Sequence, residues 1–317
     1  MCIRDSSNEY HRIATMNKKP TGLLPAVHTP FDSAGNINLS VVSEQADRLI
    51  EMQCGGVYVG GTTGECYSLT CEERIALADA WFDAASDTDL SLVVHVGDNC
   101  IRNAQTLAAQ AESRGADAIA AMAPCFFRPQ THDVLIAYLR EISSAAPNTP
   151  FYFYDIPIMT HVELSMVEFL KRCQTEFPNL AGLKFTNDNL LDLQDMLRIA
   201  PDRYNILFGF DEIMSSAWAF GVRGAVGSTY NQFAKLYNAI IAAFETGDQS
   251  RVVELQNLSV DIIRVFQKHG FLATSKEVMK LVGIDCGTVR SPVLPLREGE
   301  LDEIASSLES LGAMQWV

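Results

Sequence analysis

The sequence predicts an α/β protein, a (β/α)8 TIM barrel with additional helices after it. Three observations carry this expectation. Short apolar runs rich in β-branched or aromatic residues alternate with amphipathic stretches of helical period. Alternation of that kind implies a parallel sheet with crossover helices. Eight such pairs occur, and they occupy about 225 residues, the size of one barrel. A doubly wound open sheet is the structural alternative. The repeat count of eight and the lack of any composition shift along the chain favour the barrel.

The first strand is expected at Leu23–His28, followed by an amphipathic stretch from about Ser40 to Met52. Gly56–Val59 is the second and runs into Gly60-Gly61-Thr62-Thr63-Gly64-Glu65. A helix then starts at Thr70, where Glu73 three residues on completes a capping box. Leu90–Val96 is a β-branched third strand, with a helix over about Ile101–Arg114. Ala118–Ala123 ends at Pro124, with a helix over about Thr131–Ala145. Pro150–Tyr154 is an aromatic fifth strand ending at Asp155-Ile156-Pro157, with a helix over about Ser165–Cys173. Leu180–Phe185 is the sixth, with a helix over about Leu190–Ile199. Tyr204–Phe208 ends at Gly209-Phe210-Asp211-Glu212, where a helix begins. Val222–Val226 ends at Gly227-Ser228-Thr229, with a helix over about Gln232–Thr246. This assigns residues 21–247 to the barrel. Residues 248–317 read as a helical extension of two or three helices, with Pro292 and Pro295 in a linker. Residues 1–20 read as a disordered N-terminal extension; Met16 looks like a more natural start, and residues 1–15 lack a signal-peptide apolar core.

Composition narrows the function. The chain has 317 residues, 48% hydrophobic and 20% charged, with a formal net charge of −15. Nucleic-acid binding needs clustered Lys and Arg and is not expected. An anionic substrate would have to be held by local hydroxyls, amides or a few cations, since the overall field repels it. The eight cysteines and six histidines form neither a Cys-x-x-Cys pair nor a His-x-x-x-His pair, so a reduced cytoplasmic protein without a metal site is expected. No apolar run reaches the roughly 18 residues of a membrane span.

One strand carries an expensive residue. In Leu180-Ala181-Gly182-Leu183-Lys184-Phe185-Thr186, strand alternation puts Gly182, Lys184 and Thr186 on one face and Leu183 and Phe185 on the other. If the apolar face meets helices, the lysine meets a polar cavity. A buried ammonium loses hydration, so its pKa falls, and a neutral amine at physiological pH is a nucleophile towards ketones. The alternative is a strand-end lysine that reaches solvent or a carboxylate.

Barrel chemistry sits at the C-terminal ends of the strands. The candidates there are Thr62 and Thr63 in a glycine-rich turn, Tyr154, Lys184 and Thr186, then Gly209, Asp211 and Glu212, and finally Ser228 and Thr229. Tyr154 and Lys184 are one βα unit apart and can share one depth in the barrel. The Gly60–Glu65 turn does not have dinucleotide-binding spacing, but it can form a nest of backbone N–H groups for an anion. Each has a plainer reading: a tight turn, a core tyrosine, or acidic residues at the positive end of a helix. His28 and His95 read as core histidines.

These motifs together resemble the pyruvate-dependent class I lyase family, the group of N-acetylneuraminate lyase and dihydrodipicolinate synthase, over about residues 21–312. The family's Gly-Ser/Thr-Thr-Gly-Glu turn is matched by Gly61-Thr62-Thr63-Gly64-Glu65, its tyrosine by Tyr154 before Asp155-Ile156-Pro157, and its Schiff-base lysine by Gly182-Leu183-Lys184. Lys184-Phe185-Thr186, Gly209-Phe210-Asp211-Glu212 and Gly227-Ser228-Thr229-Tyr230-Asn231 resemble the neuraminate lyase branch. Met159 stands where the synthase branch has an arginine, and Phe126 where it has a relay tyrosine supplied by a neighbouring subunit. His161 replaces the branch's usual glycine.

The resemblance implies reversible aldol cleavage of N-acetylneuraminate to N-acetylmannosamine and pyruvate. Lys184 would form the Schiff base and Tyr154 would shuttle the proton, with Thr63 or the substrate carboxylate as its candidate partner. Thr62 and Thr63 would hold the carboxylate; Thr186, Gly209, Asp211, Glu212 and Ser228 would line the sugar site. No metal or dissociable cofactor is needed. The partners implied are a sugar acid, pyruvate and further copies of the chain, the family being commonly tetrameric. The alternatives are another pyruvate-imine lyase or dehydratase acting on a 2-keto-3-deoxy sugar acid, and a non-catalytic barrel that binds a sugar acid.

Overall fold

The computed structural model describes residues 19–317. Within them the chain forms one eight-stranded parallel sheet: β1 Gly22–Pro25, β2 Gly56–Val59, β3 Ser91–His95, β4 Ala118–Met122, β5 Phe151–Asp155, β6 Leu180–Phe185, β7 Asn205–Phe208 and β8 Gly224–Gly227. From β2 onwards each strand pairs with the next, and β8 returns to β1. The seam between β1 and β2 closes through an Ala26–Tyr58 bridge, a Gly55 N–H donated to Leu23 O at 2.9 Å and a Val27 N–H donated to Tyr58 O at 3.2 Å.

A crossover helix follows each strand: α1 Val42–Glu51, α2 Cys71–Ala84, α3 Ile101–Arg114, α4 His132–Ser143, α5 Met166–Glu176, α6 Leu190–Met196, α7 Met214–Ala219 and α8 Tyr230–Glu245, with one further helical turn at Pro157–Thr160 after β5. Their starts are chemical. Thr70 and Glu73 form the reciprocal capping box ahead of α2, and the side chains of Thr131, Ser165 and Asn189 each accept a backbone N–H at the start of α4, α5 and α6. Such caps satisfy donors that the first turn leaves orphaned.

Strand alternation divides the core into two. Leu24, Tyr58, Val93, Ala120, Met122, Tyr152, Tyr154, Leu207 and Val226 fill the barrel. Phe151, Phe153, Leu183, Phe185 and Phe208 face outwards and pack with the helices. The outer layer does not end with α8. Helices α9 Gln249–Lys268, α10 Phe271–Glu277 and α11 Glu300–Ser310 follow; α9 and α11 put Leu255, Ile262, Phe266, Ile304 and Leu308 into the same apolar cluster, and Phe271 of α10 packs against it.

Several element boundaries shift by one to three residues from the sequence reading, and three of the shifts stand out. The first strand stops at Pro25: the Ala26 N–H still reaches Gly227 O of β8 at 2.9 Å, but Ala26 also bridges to Tyr58, and Thr29 turns to the neighbouring loop, where its hydroxyl donates to Gly64 O. The helix after β6 is helical only to Met196. Helix α8 begins at Tyr230, two residues early, with a non-helical Phe233 near its start. Of the expected 1–20 extension, residues 1–18 lie outside the described residues. Lys19 Nζ donates to Asp202 O at 2.7 Å, and Pro20 O accepts from Asn205 Nδ2 at 2.9 Å. Among the described residues no helix is long and apolar enough to cross a membrane.

Candidate active site

Lys184 stands on β6 with its side chain inside the barrel, 4% exposed. Its strand needs Gly182: a Cβ there would lie 1.8 Å from Asn205 O on β7 and 2.8 Å from the Tyr152 ring. Register places Lys184 directly beside Tyr154 of β5. The Nζ atom sits 3.9 Å from the Tyr154 ring centroid and 4.2 Å from that of Tyr58. Two aromatic faces attract a cation but do not replace its lost water. Burial therefore dominates and takes the Lys184 pKa down to about 7, against the smaller upward pull of Asp211.

Tyr154 is also buried, and loss of water pushes its phenol up to about 12. Its Oη lies 3.3 Å from Thr62 Oγ1. Edge-on contacts with Tyr58 and His95, at 5.8 and 6.0 Å between ring centroids, fix the ring. The neighbouring Thr63 is turned elsewhere: its hydroxyl shares a 2.7 Å hydrogen bond with Ser228 at the end of β8. The hydroxyl in contact with Tyr154 in this structure is that of Thr62. Successive residues of the turn face different strands, and Thr62 is the one that reaches β5.

A cavity of about 500 Å³ opens above Lys184 and brings together Thr62, Thr63, Tyr154, Lys184, Thr186, Gly209, Asp211, Glu212 and Ser228, whereas Thr229, the other strand-end candidate, does not line it. Gly209 leaves room for Thr186, whose Oγ1 a Cβ at Gly209 would approach to 2.1 Å. The two acidic residues behave differently. Asp211 is buried, and its Oδ2 accepts Thr229 Oγ1–H at 2.6 Å and Thr229 N–H at 3.2 Å. Glu212 is more exposed; burial and the charge of Asp211 raise its carboxyl above the usual range.

The rest of the lining was not foreseen. Ile158, Met159 and Phe210 line it from barrel loops, and Ile263, Gln267, Phe271 and Leu272 line it from α9 and α10. A helix break at Gly270, φ 92°, turns the chain between these helices towards the mouth. His161 follows Ile158 and Met159 at φ 53°, in the left-handed region where a glycine is easier. Phe126 is 77% exposed on the loop after β4, stacked edge-on with Phe127, and does not line this cavity. Among the described residues no group of three or more His, Cys, Asp or Glu side chains is placed to share a metal ion.

A set of this kind can bind a carboxylate at a turn, condense an amine with an adjacent ketone and move a proton at a neighbouring carbon. Comparison with known proteins agrees in kind. The profile of the dihydrodipicolinate synthetase family matches residues 19–311. The chain is 38% identical over 297 residues to N-acetylneuraminate lyase of Danio rerio, covering 92% of this chain and 97% of that protein. It is 38% identical over 303 residues to N-acetylneuraminate lyase of Homo sapiens, covering 94% and 95%. The solved N-acetylneuraminate lyase of Proteus mirabilis superposes with a TM-score of 0.90 at 35% identity, covering 93% of this chain and 99% of that one.

Proposed function

We propose that this chain, which belongs to the dihydrodipicolinate synthetase family, is a class I aldolase that reversibly cleaves N-acetylneuraminate to N-acetylmannosamine and pyruvate. The observation that carries the reading is the desolvated Lys184 amine beside Tyr154, beneath a cavity with a hydroxyl-bearing turn at one end and carboxylates at the other.

In this reading, the neutral Lys184 amine adds to the C2 ketone of the open-chain sugar acid, and water leaves to give an iminium. Thr62 and Thr63 hold the adjacent carboxylate through their turn. Tyr154 takes the C4 hydroxyl proton while the C3–C4 bond breaks, and the bond's electron pair passes to the iminium to form an enamine. A phenol with so high a pKa is a poor base by itself, so it passes its own proton to Thr62 Oγ1, which gives its proton in turn to the substrate carboxylate. N-acetylmannosamine departs as the aldehyde. Protonation at C3 and hydrolysis then return pyruvate and free Lys184. Turnover of N-acetylneuraminate with release of pyruvate tests the assignment. Cleavage of a 2-keto-3-deoxy hexonate without action on N-acetylneuraminate would move it to another lyase of the family. We further read the protein as cytoplasmic and as a homotetramer, with residues 21–247 and 248–317 as barrel and helical extension; sedimentation of the full chain tests the tetramer.

The sugar end gives a prediction on specificity. Asp211 spends one oxygen on Thr229, which leaves Glu212 as the freer acceptor for the polyol tail. A hydrogen bond to a charged group contributes about 1.5–3 kcal/mol, on the order of ten- to a hundred-fold in rate. Glu212→Ala is expected to lower kcat/KM for N-acetylneuraminate by that factor while leaving imine formation with pyruvate, which has no tail, almost unchanged. Unaltered neuraminate cleavage would make Glu212 a helix-start residue only.

The lysine gives a prediction on pH. With its pKa near 7, Lys184 is about half neutral at pH 7, roughly 10³-fold more free amine than an ordinary lysine offers. Lowering the pKa disfavours the ammonium, so the reactive form is lost as pH falls through about 7 and is complete above it. The rate of imine formation with pyruvate should rise tenfold per pH unit below this point and level off above pH 8. A rise continuing to pH 10 would show an unperturbed lysine.

A further inference from the structure

The turn that carries Thr62 and Thr63 is held from beneath by a buried ion pair that no step of the reaction uses. Lys276 Nζ lies 2.8 Å from Glu65 Oε1, the two side chains being 0% and 1% exposed. The second carboxylate oxygen, Oε2, accepts the Arg290 backbone N–H at 2.8 Å. Glu65 itself is at φ 56°, ψ 38°, a left-handed conformation that residues with a Cβ hold only where their surroundings over-determine it. One residue earlier, Gly64 O accepts Thr29 Oγ1–H at 2.7 Å. The Lys276 ammonium also lies 3.8 Å from the centroid of the Phe31 ring, and the Arg290 guanidinium 4.3 Å from the same centroid.

A buried ion pair is a weak device for stability, because desolvating two charges offsets their attraction. It is a strong device for geometry, since a buried charge tolerates no displacement from its partner. This pair joins residues 211 positions apart. One end is two residues from Thr63. The other belongs to α10, whose first residues Phe271 and Leu272 wall the cavity. We infer that Lys276 is a positioning residue, which through Glu65 sets the Thr62–Thr63 turn at the spacing that the carboxylate of a 2-oxo acid needs. The inference rests on the reading of that turn as the carboxylate site.

Borohydride trapping of the full chain tests it, with pyruvate as the 2-oxo acid and acetone as a ketone without a carboxylate. Lys276→Met is expected to need about ten- to a hundred-fold more pyruvate for half-maximal trapping, the scale of a displaced binding group, with acetone trapping unchanged. Because that variant strands Glu65, the double variant Glu65→Gln/Lys276→Met accompanies it. It removes both charges and keeps an acceptor for the Arg290 N–H. It should melt above Lys276→Met and still show the pyruvate defect. Three results overturn the inference: a double variant that traps pyruvate at wild-type concentrations, one that loses pyruvate and acetone equally, or one that does not fold. Failure of the unsubstituted protein to trap pyruvate would remove the carboxylate reading and this inference with it, and is recognised by needing no substitution.

Discussion

Lys184→Ala is expected to abolish turnover and to show no mass gain after incubation with pyruvate and borohydride. The wild-type chain should gain one reduced pyruvoyl unit, on the peptide that carries Lys184. The effect should be complete because no other amine can substitute. Lys184 is the lysine that lines the cavity, and the second buried lysine, Lys276, is held by Glu65 beneath the turn. The fold should survive, since alanine removes a desolvated charge and leaves the aromatic faces of Tyr58 and Tyr154 in place. Lys184→Arg should be equally inactive for a different reason: a guanidinium stays protonated and forms no imine. It should also cost stability, because its charge cannot be shed in a site where burial already strips the lysine of its proton near pH 7. Labelling of an active protein at any other lysine would refute the mechanism.

The barrel was legible because its signals are local. Each strand is a short apolar run, each crossover has a cap or a break, and eight repeats admit few architectures. The pairing of Tyr154 with Lys184 was legible for the same reason: one βα unit separates neighbouring strands, and register then sets both at one depth. Asp211 and Glu212 were visible as a pair at a strand end, but their division of labour was not. It depends on Thr229, eighteen residues on, taking up one carboxylate. The exchange of roles between Thr62 and Thr63 was equally invisible, since adjacent residues in a turn differ in direction and no periodicity says how. The largest gap lies in the C-terminal helices. Their amphipathic pattern announces that one face is buried, but not that the ends of α9 and α10 reach the cavity or that Lys276 meets Glu65. Long-range ion pairs leave no spacing to read. The left-handed Glu65 leaves no signal either, for the sequence there shows a glutamate where conformation alone would favour glycine.

Tyr154→Phe isolates the proton from the ring. Phenylalanine keeps the volume, the edge-on contacts with Tyr58 and His95 and the face presented to Lys184. Only the hydroxyl goes, and with it the 3.3 Å contact to Thr62. Packing predicts a folded protein, and removing a buried hydroxyl whose partner still lines a polar cavity should cost little stability. Imine formation with pyruvate should persist, because it requires the Lys184 amine and a carboxylate site that the substitution leaves in place. Carbon–carbon cleavage is another matter. The C4 hydroxyl proton must leave as the bond breaks, and positioned acid–base catalysis contributes about 10²–10⁴-fold. A loss of that size in kcat, with borohydride trapping intact, is the expected signature. The split between the two readouts matters more than either alone. Loss of both would mean that the Tyr154 hydroxyl also serves imine formation. Near-normal cleavage would mean that the proton leaves by another route, with Thr62 or the substrate carboxylate taking it directly and Tyr154 acting only as a wall beside the lysine.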